Sequence, residues 1–136
     1  MSEEYKKISI RDVKRLLMVI KFDKDHSIVD LIDEFAKDIA EILNSKILYK
    51  KIYFFPGDFE GNKDITLAGI LSTSHIIISS YTEEDGIYLD IDVAWCSGKN
   101  IGKEEIKNLL DKYLKNYEIK SIRLLNYLGN EESLLS

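Results

Sequence analysis

Residues 65–93 read ITLAGILSTSHIIISSYTEEDGIYLDIDV. Three runs rich in β-branched and aliphatic residues, Ile65 to Leu71, Ile76 to Tyr81 and Ile87 to Val93, are parted by two short links. The links, Ser72-Thr73-Ser74-His75 and Glu83-Glu84-Asp85-Gly86, are built of turn residues. Strands joined this closely pair antiparallel, because a parallel pair needs a crossover of a dozen or more residues. From Ile87 to Val93 apolar and polar side chains alternate, as they do in a strand with one covered face.

Working outward, Ile47 to Phe55 is rich in Ile, Tyr and Phe and reads as a strand, stopped by Pro56-Gly57-Asp58. Phe59 to Asp64 reads as a polar loop. Further upstream Ser27 opens a helix, with Asp30 three residues on as a variant capping box. Ile28, Leu31, Ile32, Phe35, Ile39, Ile42 and Leu43 then form one apolar stripe to about Asn44. Leu16 to Ile20 reads as a buried strand. Downstream of a loop at Ser97-Gly98-Lys99-Asn100, a second helix carries Ile106, Leu109, Leu110, Tyr113 and Leu114 on its stripe. A last strand covers about Ile119 to Leu125, and a loose tail is expected from Gly129.

The order β-α-β-β-β-β-α-β predicts an α+β fold in one domain spanning residues 1–136. The expected architecture is a two-layer α/β sandwich, a mostly antiparallel sheet covered by two helices. A sheet covered on one side finds its other cover in a second subunit, so a homodimer is expected.

The composition is that of a globular chain: 136 residues, 45% hydrophobic and 32% charged with both signs interspersed. A net charge of −5 argues against nucleic acid as a partner, since phosphate binding needs a basic face. The one cysteine, Cys96, excludes an intramolecular disulfide and a cysteine-based zinc cluster. With only His26 and His75 besides, no metal is expected, and His26 is given no role. The start, Met1-Ser2-Glu3-Glu4-Tyr5, lacks the order of a signal peptide, and no apolar run approaches a membrane span. No membrane association is expected, and the cytoplasm is the expected compartment.

Taken alone, Ser72-Thr73-Ser74-His75 is a turn. Strand alternation would also send Ser74 and His75 to opposite faces, so His75 is not expected to act as base for Ser74. The surroundings add to it. Thr66 precedes Ser74 by eight residues. A Tyr81-Thr82-Glu83 turn with Gly86 follows, then Asp90-Ile91-Asp92 and Trp95-Cys96-Ser97-Gly98. This arrangement resembles the prokaryotic S-adenosylmethionine decarboxylases, the small pyruvoyl-dependent enzymes of polyamine synthesis. Their pattern has Glu-Ser-His, then His-Thr-Trp-Pro-Glu with a glycine, then Ile-Asp and Thr-Cys-Gly. The element order over roughly residues 14–126 is similar, and Phe54-Phe55-Pro56 falls where that family has an aromatic-proline stretch.

The resemblance implies roles. Ser74 would be the pyruvoyl precursor, its hydroxyl attacking the Thr73 carbonyl so that the chain is cut before Ser74. The resulting ketone would take the substrate amine as a Schiff base and act as electron sink for loss of CO₂. Cys96 would be the proton donor to the substrate α-carbon. Thr66 stands where the family has a hydroxyl that assists processing, and Ser79 where it has a processing histidine; should another group supply the processing base, Thr66 and His75 are the next candidates. Thr73 replaces the usual glutamate before the serine, and the following loop is longer by about two residues.

Other residues have a plain structural reading beside the functional one. Cys96 alone would be a small buried hydrophobe. Phe54, Phe55 and Trp95 suit an adenine ring or a core equally. Glu83, Glu84, Asp85, Asp90 and Asp92 suit a cationic substrate or a solvated turn and strand face. The expected function is therefore a self-processing decarboxylase of S-adenosylmethionine in spermidine synthesis. Two alternatives stand beside it: the same chemistry on arginine or ornithine, or a non-processing relative serving as a binding or partner subunit.

Overall fold

A computed structural model describes residues 9–23, 27–56 and 63–134. His26, Gly57-Asp58 and most of the expected 59–64 loop lie outside the described residues. A short 3₁₀ turn at Ile10–Asp12 leads into β1 (Lys14–Phe22), α1 (Ile28–Ile42), β2 (Ile47–Pro56), β3 (Lys63–Leu71), β4 (Ser74–Glu83) and β5 (Gly86–Trp95). Then come α2 (Lys103–Tyr113), β6 (Tyr117–Leu125) and β7 (Glu131–Glu132). The strands form one antiparallel sheet in the order β2-β3-β4-β5-β1-β6-β7. With two helices on it, this is the two-layer α/β sandwich expected from the sequence.

Topology explains why the sheet has only one covered face. Following the antiparallel pairings, β1 and β2 run the same way, as do β5 and β6. Each such pair needs a crossover, supplied by α1 and α2. The first crossover leaves β1 toward the β2 edge; the second leaves the oppositely directed β5 and moves the other way. The right-handed rule for crossovers therefore sends both helices to the same face.

That face carries the core. Leu16, Met18, Ile20 and Phe22 of β1, Ile76 and Ile78 of β4, and Leu89, Ile91 and Val93 of β5 are buried beneath Leu31, Ile32, Phe35 and Ile39 of α1 and Ile106, Leu109 and Leu110 of α2. Each such side chain contributes roughly 1.5–3 kcal/mol on burial. The helices meet where Phe35 packs edge-on against Tyr113, ring centroids 5.2 Å apart. Beside them Asp38 accepts from the Tyr113 hydroxyl (2.5 Å) and from Lys112 (2.9 Å). Lys50 on the edge strand β2 pairs with Asp33 of α1, tying that edge to the helix layer.

Several local expectations change. Ser27 is the N-cap of α1, but its hydroxyl donates to Asp30 rather than accepting from the helix, so the expected capping box is not closed. The 72–75 link is only two residues long, because β4 starts at Ser74. Asp64, expected in a loop, belongs to β3. The tail is tethered: β7 pairs with β6, and Glu132 and Glu131 bind Lys14 (2.8 Å) and Arg123 (2.7 Å). Gly86 closes the β4–β5 turn with φ +144, where an added Cβ would lie 2.7 Å from the Phe22 carbonyl oxygen. Among the described residues no helix is long and apolar enough to cross a membrane.

Asp33 and Asp38 both titrate below the usual carboxylate range. For Asp33 the Lys50 hydrogen bond is the main cause. For Asp38 burial pushes upward most strongly, and the hydrogen bonds from Tyr113 and Lys112 together outweigh it. A depressed carboxyl contributes stability that is present above its unfolded pKa and is lost as pH falls through the folded one. The melting temperature of the chain should therefore drop as pH falls below about 4, and Asp33→Asn with Asp38→Asn should flatten that drop in a calorimetric pH series. An unchanged acid slope in the double variant would show that other carboxylates govern it.

Candidate functional site

The C-terminus of α1 sets the floor of the site. Asn44 takes a left-handed conformation (φ +53), Ser45 N–H bonds the Ala40 carbonyl (2.8 Å) and Asn44 N–H bonds that of Glu41 (3.1 Å). This is a Schellman-type stop with Asn44 in the position glycine usually holds. It turns Ser45 inward, where it is buried beneath the β3–β4 hairpin.

The hairpin is built with unusual residues. Leu71 and Ser74 are its closing pair, leaving Ser72-Thr73 as a two-residue loop. Two-residue hairpins favour glycine or asparagine at central positions with positive φ. Here the only positive φ of the turn falls on Ser74, at +153. A residue with a Cβ rarely adopts that value, and holding it costs about 1–3 kcal/mol, supplied by the surrounding structure.

Five contacts supply it. Ser72 N–H donates to the Lys46 carbonyl (2.8 Å), and Lys46 N–H donates to the Ser72 hydroxyl (2.9 Å). The Ser72 and Ser45 hydroxyls are bonded at 3.2 Å, and Thr73 Oγ1 donates to Ser45 Oγ at 2.8 Å. From the end of β5, Cys96 Sγ donates to the Thr73 carbonyl oxygen at 3.1 Å. Ser97 Oγ in turn bonds the Leu43 carbonyl (2.9 Å), locking the loop after β5 onto α1.

Strand alternation would separate Ser74 from His75. The positive φ at Ser74 re-aims its side chain instead, and Ser74 Oγ lies 3.4 Å from His75 Nδ1. The other ring nitrogen, Nε2, lies 3.5 Å from Asp92 Oδ1 on β5. Arg15 Nε of β1 reaches the same oxygen at 3.3 Å.

The residues singled out by sequence thus fall into groups. Thr73, Ser74, His75 and Cys96 come together. Thr66 and Ser79 face each other across β3 and β4, their hydroxyls 2.9 Å apart on the uncovered face. Ser79 is five residues along β4 from Ser74, about 16 Å at ~3.3 Å per residue, so neither hydroxyl reaches Ser74 within one chain. Phe54 and Phe55 are exposed on β2 but pair with Ile65 and Asp64, at the far end of β3 from the hairpin, about 20 Å away. Glu83 lies at the opposite end of β4, beside an open cleft formed with Tyr81, Glu84, Asp85 and Tyr88. Trp95 is fully buried, its Nε1–H donating to the Lys99 carbonyl, and belongs to the core rather than to a ligand surface.

Sequence reasoning did not pick out Ser45, Ser72, Ser97 or Arg15. Asn44-Ser45 after an apolar stripe does signal a helix stop. Nothing local says that this stop lies beneath a hairpin 27 residues later in the chain.

Chemically, the cluster offers a hydroxyl next to an imidazole and, one bond away, a carbonyl that accepts a thiol hydrogen bond. The Thr73-Ser74 peptide carries both the backbone strain and the polarised carbonyl. Compared with known proteins, the chain matches no family model and no curated protein sequence.

Proposed function

We propose that this chain is a self-processing, pyruvoyl-forming decarboxylase acting on S-adenosylmethionine in polyamine synthesis, cut between Thr73 and Ser74. The observation that carries the reading is the contact of Cys96 Sγ with the Thr73 carbonyl oxygen at 3.1 Å. Two residues assigned separate roles by the resemblance, 23 apart in sequence, meet at the peptide bond that would be cut.

The chemistry follows from the chain's own groups. Attack of Ser74 Oγ on the Thr73 carbonyl carbon closes a five-membered ring, and negative charge builds on the oxygen facing Cys96. A donor aimed at that oxygen favours the attack. Breaking the C–N bond leaves an ester and a free amine at residue 74. Loss of the α-proton then releases the Thr73 carboxylate, and water replaces the nitrogen, which leaves as ammonia. The pyruvoyl group so formed supplies an electron sink for decarboxylation. Cys96 is held beside residue 74 and so has a proton to deliver to a substrate carbon bound there. The same sink serves arginine or ornithine, and no residue near Ser74 favours them over S-adenosylmethionine. The reading takes the cytoplasm as its compartment.

One observation favours a second reading, a non-processing relative that binds a ligand or partner. Ser79 stands where the related enzymes carry a histidine, and it lies about 16 Å along β4 from Ser74. Intact mass separates the two. The first reading expects fragments 1–73 and 74–136, the second with a blocked N-terminus, and an uncut Ser74→Ala chain. A wild-type chain that stays whole on prolonged incubation favours the second.

The cleaved protein should release labelled CO₂ from carboxyl-labelled S-adenosylmethionine. Because Cys96 faces the Thr73 carbonyl, Cys96→Ala should slow cleavage as well as turnover, cleavage by on the order of tenfold, a thiol being a weaker donor than the amide of an oxyanion hole. Cleavage at the wild-type rate in Cys96→Ala would remove its part in processing.

A homodimer fits the same reading. The uncovered face presents Ile70, Ile77 and Tyr81, 55%, 38% and 51% exposed, on adjoining strands. Such a patch suits a second copy. Light scattering should give twice the chain mass at micromolar concentration, and Ile77→Lys should give the chain mass; a wild-type monomer counts against this assembly.

A further inference from the structure

We infer that His75, held by Asp92, is the base that takes the Ser74 hydroxyl proton in the first step of self-cleavage; this rests on the processing reading above and adds to it the group that starts the reaction. The related enzymes' processing position, Ser79, cannot do this within the chain, since it lies five residues further along β4, about 16 Å away. His75 is already placed. Its Nδ1 is 3.4 Å from Ser74 Oγ, its Nε2 is 3.5 Å from Asp92 Oδ1, and its side chain is about one-third exposed.

The step requires one of the two imidazole tautomers. With Nε2–H toward the carboxylate, Nδ1 presents its lone pair to the serine hydroxyl. As Oγ bonds to the Thr73 carbonyl carbon, the Oγ proton passes to Nδ1 and the Asp92 charge faces the new imidazolium. When the C–N bond breaks, the same proton passes from Nδ1 to the departing nitrogen of residue 74, and His75 is neutral again. No proton is gained or lost overall, and no other reactant is needed.

Asp92 is suited to the part. Its Oδ1 is buried and makes no hydrogen bond of good geometry among the described residues, so its charge is met by His75 and by Arg15 at 3.3 Å. The groups facing His75 are few. Asp92 comes from β5 and Arg15 from β1, while the directly paired positions are Ile70 on β3 and Ala94 on β5. Cys96 is engaged with the Thr73 carbonyl oxygen. The arrangement is a Ser–His–Asp relay assembled from two neighbouring strands, with the serine and histidine adjacent in sequence.

The test is the rate of appearance of the 74–136 fragment from freshly made precursor across pH 5–9, in the full chain. The wild-type rate should rise with pH, since only a neutral imidazole accepts the proton. His75→Gln should cleave about 10²-fold more slowly at neutral pH and lose that rise. Asp92→Asn, which keeps the side-chain size, should cleave more slowly than the wild type, because no charge then faces the imidazolium formed in the step, and Asp92→Glu should restore the rate. Added imidazole should accelerate His75→Gly and leave the wild type unchanged, a response that a merely structural histidine would not give. Wild-type cleavage at an unaltered rate and pH profile in His75→Gln overturns the assignment and leaves self-processing standing. Cleavage of Asp92→Asn at the wild-type rate removes Asp92 from it. A wild-type precursor that stays whole at every pH removes the processing reading itself, and this step with it.

Discussion

The placement of both crossover helices on one layer is the constraint on which the rest of the molecule depends. A right-handed crossover from β1 to β2 and another from β5 to β6 start on oppositely directed strands and travel in opposite directions along the sheet. They land on the same face and cover the apolar side chains of β1, β4 and β5. The other face is left to polar groups and scattered apolar ones. His75, Asp92 and Arg15 stand on that second face, where ion pairs form without displacing core. The same topology brings the C-terminus of α1, the β3–β4 hairpin and the end of β5 to one end of the sheet.

At that end the structure holds a conformation that local chemistry does not favour. Ser74 has a φ suited to glycine in a turn that contains none. Hydrogen bonds from the α1–β2 loop and from β5 outweigh the cost. The strain sits on the peptide whose carbonyl accepts from Cys96, and the re-aimed hydroxyl meets His75. One backbone angle thus joins two residues that regular strand alternation would keep apart.

The order of the elements was legible from local pattern. Period-two alternation in residues 87–93, the apolar stripe from Ile28 to Leu43 and the short links after Leu71 and Glu83 were enough to place the strands, the helices and the antiparallel pairing. Less legible were features of one or two residues that depend on neighbours. The capping box at Ser27 was not closed because Asp30 takes the hydroxyl. The tail was ordered by ion pairs to Lys14 and Arg123. Trp95 could not be told from a ligand platform until its burial was known.

Ser74 and Cys96 were singled out by the resemblance; the sequence by itself determined the element order and the sheet's antiparallel sense. These depend on periodicity, turn chemistry and spacing, all of which are local or one-dimensional. Only the tertiary structure decided which candidates share a site. Thr66 and Ser79 share the uncovered face with His75 but sit further along the strands, and Phe54, Phe55 and Glu83 went to the other end, because register fixes their height. Ser74 left the side that alternation assigns it through its own φ. That angle is set by contacts with Ser45, Lys46 and Cys96, residues more than 20 positions away that meet the turn only when the sheet and α1 pack together.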